Sequence, residues 1–158
     1  MDKFNKALKY SFILLKYRAR AKKEIFTRLK QKGYTESCSK NVVKFLEGNN
    51  YLNDEIFVRL FTDAALEKNW GPLKIVCKLK RLGISENLCK RLGRQNGVFN
   101  EKIRDIIKEK WRHHKEQSKK ISKTTIQQKI IQYLTYKGFM YDDIHRCLQE
   151  FFESGGEE

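Results

Sequence analysis

Apolar residues recur along this chain three and four positions apart and never alternate at period two, so the sequence predicts helices and no strands. Phe4, Leu8, Phe12 and Leu15 mark the apolar stripe of a first helix. Ile25, Leu29 and Gly33 then read I-x-x-x-L-x-x-x-G, a spacing that returns at Ile75, Leu79, Gly83 and again at Ile130, Leu134, Gly138. Lys32, Leu82 and Lys137 precede the glycines, and Tyr34, Ile84 and Phe139 follow them. Residues four apart share a helix face. A glycine four residues further on can take the left-handed conformation that closes the helix, and the apolar residue after it can fold back on the last turn. Three copies in register make the chain a threefold repeat.

Each copy has room for a helix before the motif and one after it. In the first repeat, Val42, Val43 and Leu46 mark the third helix. In the second, Asn53 is the expected N-cap of a helix whose inward residues are Ile56, Phe57, Leu60, Phe61 and Ala64. Pro72 falls at the first position of the middle helix, where its missing N–H costs nothing. Ser85 caps the third helix, which carries Leu88, Cys89 and Leu92. In the third repeat Ile103, Ile106, Ile107 and Trp111 mark the first helix, Thr124-x-x-Gln127 is the expected capping box of the second, and Asp142 and Asp143 open the last, ahead of Ile144, Cys147, Leu148 and Phe151. The expected architecture is all-α: three tandem three-helix repeats over residues 1–50, 51–99 and 100–153, stacked as an elongated and curved array, with a frayed tail at 154–158. Loose junctions are expected at Gly93–Asn100 and His114–Lys123.

Composition sharpens the picture through charge. Against 19 Asp+Glu stand 34 Lys+Arg, a net charge of +15 over 158 residues. The first repeat holds 13 basic and 4 acidic residues, or +9; the second and third carry +4 and +2. Such an excess attracts polyanions at low salt. Lys74, Lys78 and Arg81 form a stripe roughly opposite Ile75, Leu79 and Leu82, and Lys90, Arg91 and Arg94 follow it. In the first repeat, Lys16, Arg18, Arg20, Lys22 and Lys23 cluster within eight positions. These residues are the candidate contacts to nucleic acid or to an acidic protein surface.

No apolar run approaches the ~20 residues that span a bilayer, and no secretory core opens the chain, so a cytoplasmic protein is expected. Cys38, Cys77, Cys89 and Cys147 stand far apart with no C-x-x-C pair, as packing thiols in a reducing compartment do. Walker A, G-x-S-x-G and H-E-x-x-H patterns are missing. Adjacent His113 and His114 point about 100° apart on a helix, and His145 is alone. Trp70 and Trp111 fit packing between helices better than base stacking. A non-enzyme without cofactor or metal is the expectation.

Three segments carry a resemblance. They are Glu24-Ile25-Phe26-Thr27-Arg28-Leu29-Lys30-Gln31-Lys32-Gly33-Tyr34, Tyr51-Leu52-Asn53-Asp54-Glu55-Ile56-Phe57, and Asn69-Trp70-Gly71-Pro72-Leu73-Lys74-Ile75 with Leu79 and Gly83-Ile84 after it. With Lys137-Gly138-Phe139 in the third repeat, their order and spacing resemble the bacterial RecX family of recombination regulators over roughly residues 5–152. One departure is Ala21, which stands where the family commonly has a small hydroxyl residue at the start of the second helix. The resemblance implies a protein that lies in the groove of the RecA filament on single-stranded DNA and modulates RecA, in the inhibitory direction, in recombination, DNA repair and the SOS response; a monomer is expected. The alternative is a general basic nucleic-acid-binding helical protein that acts without RecA.

Overall fold

A computed structural model describes residues 2–93, 96–117 and 121–156. Among them nine helices follow one another: α1 (Lys3–Tyr17), α2 (Lys22–Gln31), α3 (Glu36–Gly48), α4 (Asp54–Glu67), α5 (Pro72–Arg81), α6 (Glu86–Gly93), α7 (Asn96–Gln117), α8 (Lys123–Lys137) and α9 (Tyr141–Glu153). The described residues contain no strand, as the period of the apolar positions requires.

The chain forms two compact units, Met1–Asp63 with Lys78–Cys89, and Ala64–Cys77 with Lys90–Glu158. Helices α4, α5 and α6 each contribute to both. In the first unit α1, α2 and α3 pack on one another around Ala7, Ile25, Leu29, Val42, Leu46 and Leu52. In the second, α7, α8 and α9 do the same around Ile103, Ile107, Ile130, Leu134, Ile144 and Cys147.

All six Ile and Leu positions of the repeated motif are wholly buried. Gly33, Gly83 and Gly138 sit just past the ends of α2, α5 and α8 with φ of 94°, 82° and 89°. Each donates its N–H three residues back, to Lys30, Lys80 and Thr135. The residue after each donates five back, so Tyr34, Ile84 and Phe139 reach the carbonyls of Leu29, Leu79 and Leu134 at 3.1–3.2 Å. These paired bonds satisfy carbonyls that a helix end otherwise leaves open. The same closure ends α3 and α4 on Asn50 (φ 60°) and Asn69 (φ 58°), with Tyr51 and Trp70 bonding back to Leu46 and Ala65. Asparagine is the residue besides glycine that tolerates this conformation, a signal present in the sequence but not read from it.

Several sequence expectations need correction. The deepest face of α1 is Ala7 and Ser11, both fully buried, while Phe4, Leu8, Phe12 and Leu15 flank it half-buried. Small residues let the helices approach closely there, and the Ser11 hydroxyl is satisfied by donating to the Ala7 carbonyl at 3.0 Å. In α4 the inward residues are Phe57, Val58, Thr62 and Ala65, whereas Ile56, Leu60 and Ala64 are exposed. That helix is apolar on more than one side, so its period alone could not choose the inward stripe. Helix α7 begins at Asn96, with Phe99 buried, and runs to Gln117, so much of both supposed loose junctions is helical. Helix α8 is capped by Ser122, whose side chain accepts the Thr125 N–H at 3.2 Å, and not by Thr124. Other caps stand where expected: the Asn53 side chain accepts from Glu55 and Ile56, and Ser85 from Leu88.

Candidate functional site

Within the second unit, α5 starts directly on the end of α8. Gly71 donates its N–H to the Lys137 carbonyl at 2.8 Å, and Leu73 donates to Gly138 at 3.0 Å. Pro72 between them has no N–H to satisfy. Open donors of one helix thus meet open acceptors of another, and the positive end of α5 faces the negative end of α8. A Cβ on Gly71 would lie 2.3 Å from the backbone of Gly138, so only glycine permits the approach.

That contact places Lys74. Its ammonium lies 4.9 Å from the Trp70 ring centre and 5.0 Å from that of Tyr136, a cation held between two π faces. Trp70 is half-buried, and Lys68 also approaches its ring, at 5.9 Å. Tyr136, absent from the sequence reading, is the missed member of this cluster. Further along α5, within the first unit, Ile75's neighbour in the stripe Leu79 is wholly buried, and Lys78 and Arg81 are exposed. Lys90 and Arg91 are exposed on α6. Arg94 lies outside the described residues.

The basic residues of the first repeat divide by role. Arg18 and Arg20 both bind the Glu24 carboxylate, Arg18 through Nη2 at 2.5 Å. Arg20 also donates from Nε to the Leu14 carbonyl at 3.2 Å and is only 11% exposed. It closes the end of α1 and ties it to α2. Lys22 donates its backbone N–H to Asp54 Oδ1 at 3.0 Å, and its ammonium pairs with Glu47. Asp54 thus supplies the cap that Ala21, fully buried and without a capping side chain, leaves out. Lys23 lays its side chain over Gly83, where a Cβ would fall 2.1 Å from its Cδ.

Titratable groups off these faces have structural causes for their shifts. Burial pushes the Cys89 and Cys147 thiols up, keeping them protonated and weakly nucleophilic near neutrality. A hydrogen bond and ion pair with Glu150 hold the Arg104 guanidinium up. Bonding to Lys40, with the charges of Lys40 and Lys30, lowers Glu36. Among the described residues no group of three His, Cys, Asp or Glu is placed to hold a metal ion, and no helix is long and apolar enough to cross a membrane. What the exposed lysines and arginines can do is bind anions.

The model of the first three-helix domain of RecX matches residues 4–46, which hold α1, α2 and most of α3. A regulatory protein RecX of Bacillus licheniformis is 32% identical over 148 residues, covering 93% of this chain and 54% of that relative. Its counterpart in Bacillus velezensis is 30% identical with the same coverage. The chain thus spans about half the length of the curated relatives it matches. Among solved structures, RecX from Lactobacillus salivarius superposes with a TM-score of 0.79 at 23% identity, covering 93% of this chain and 95% of that one. A second crystal structure, of regulatory protein RecX, gives 0.74 at 22% identity over 94% of this chain and 72% of its own. The chain is thus similar to RecX regulatory proteins over nearly all of its length, with a match to the first RecX three-helix domain at residues 4–46.

Proposed function

We propose that this protein binds the RecA filament on single-stranded DNA and lowers RecA activity, and that it does so in the cytoplasm as a monomer without chemistry of its own. The observation that carries the proposal is the alignment of 93% of the chain with proteins named regulatory, in a sequence of net charge +15. Lys78 and Arg81 are the contacts most directly supported, being exposed on the helix whose opposite face carries the buried motif. Lys90 and Arg91, exposed on α6, are further contacts in this reading, with Lys23 and Lys22 as contacts of the first repeat. Lys74, Arg18 and Arg20 hold helix ends in place, so they contribute to the interface by positioning it.

A filament is an extended polyanion coated with protein, and counterion release favours lysine and arginine binding to it. Co-sedimentation tests the proposal: the protein should pellet with RecA–DNA filaments at concentrations where it leaves bare single strands in solution. Equal pelleting with bare DNA would favour the second reading, a general nucleic-acid binder, which rests on the same charge excess.

A further inference from the structure

In the first unit, α2 and α3 leave between them a groove of about 400 Å³ lined by Lys22, Lys23 and Phe26 on one side and Lys40, Val43, Lys44 and Glu47 on the other. Its volume falls in the range of small-ligand pockets. Phe26 and Val43 are half-buried and give the floor its apolar character. Four ammonium groups stand around that floor; Lys22 is paired with Glu47 and Lys40 with Glu36, which leaves an excess of two positive charges at the groove. The start of α2 adds nothing to that excess, because the Asp54 carboxylate already accepts the Lys22 N–H there.

The floor discriminates between anionic partners. A nucleobase pressed between Phe26 and Val43 could accept hydrogen bonds from the lysines, but its own N–H donors would find among the lining side chains only the engaged Glu47 carboxylate. A bulky hydrocarbon side chain loses nothing there and gains burial. We propose that the α2–α3 groove captures an acidic peptide segment through one bulky apolar side chain seated between Phe26 and Val43, with flanking carboxylates meeting Lys23, Lys40 and Lys44. The groove shares Lys22 and Lys23 with the contacts proposed for the filament, but its test contains neither RecA nor ATP, so the two fail independently.

The probe is a fluorescein-labelled synthetic peptide of aspartates and glutamates around one central phenylalanine, compared with the same peptide carrying alanine at the centre. At physiological ionic strength, anisotropy should show the phenylalanine peptide binding about tenfold more tightly or better. Lys40→Glu with Lys44→Glu should weaken both peptides, while Val43→Glu should remove the preference for phenylalanine. Equal affinity of the two peptides for the unaltered protein overturns the proposal, an outcome independent of how any variant folds. Labelled oligothymidylate gives the other arm. If Val43→Glu weakens its binding tenfold while the helical melting transition is retained, the groove takes nucleic acid and the proposal fails.

Discussion

Leu73 donates its backbone N–H to the Gly138 carbonyl oxygen across 3.0 Å, which seats the first turn of α5 on the last turn of α8. Gly71 makes the parallel bond to Lys137, and the two glycines 71 and 138 meet backbone to backbone. Gly71→Ala must push these helix ends apart, and should cost about 1–3 kcal/mol by overpacking. Gly97 in the first turn of α7 has open space where a Cβ would go, so Gly97→Ala should instead be neutral or stabilise by roughly 0.4–1 kcal/mol. Urea midpoints compare them directly, and similar midpoints for the two variants would mean that the α8–α5 contact contributes nothing.

Asp54 caps a helix in place of the buried Ala21. Asp54→Ala should therefore destabilise by about 1 kcal/mol, the ordinary loss on removing a cap. Ala21→Ser would offer an acceptor to the Lys23 or Glu24 N–H of the same turn, so the double variant should lose less than Asp54→Ala alone. Additive melting shifts in that cycle would show that the two caps do not compensate for one another.

The three residues of the α5 stripe should behave differently. Replacing Lys78 and Arg81 by Ala ought to change stability by less than ~0.5 kcal/mol. Each phosphate contact so lost on a single strand should reduce the magnitude of the salt slope by about 0.7. Lys74→Ala removes a cation from between two rings and should cost about 0.5–1 kcal/mol of stability. A stable Lys74→Ala variant with a reduced salt slope would move Lys74 from scaffold to contact.

His114 offers a check through pH. Burial first, then the charges of Lys129, His113 and Lys110, hold its imidazole below the ordinary 6.5. The folded state binds its proton less readily than the unfolded one. The contribution is therefore fully present above pH 6.5 and is lost as pH falls through the depressed native value. The His114 imidazole resonance should titrate below 6.5, and His114→Gln should flatten the loss of stability on the acid side. A resonance titrating at or above 6.5 would contradict the burial of this ring.

The helices, their closing glycines and the buried Ile and Leu of each motif were legible because a period of 3.6 and a left-handed residue are local properties of the chain. Ile25, Leu29 and Gly33 needed no knowledge of their neighbours in space. The inward face of α4 was not legible, since Phe57 and Ile56 are equally apolar and only the surrounding helices distinguish them. Cross-chain arrangements were hidden for the same reason. Nothing in the spacing announces that Asp54 caps Lys22 across 32 positions, or that Tyr136 closes over Lys74. Basic residues were easy to find and hard to sort: Arg20 and Lys78 look alike in sequence, yet one closes a helix end and the other is exposed.

The central claim, that this chain restrains RecA, is tested most directly by ATP turnover of RecA on single-stranded DNA as the protein is added. Turnover should fall as the protein approaches equimolar amounts, the loss should weaken when Lys78 and Arg81 are replaced by Ala, and the protein alone should hydrolyse no ATP. Unchanged turnover at concentrations that saturate a cognate RecA filament would contradict the account.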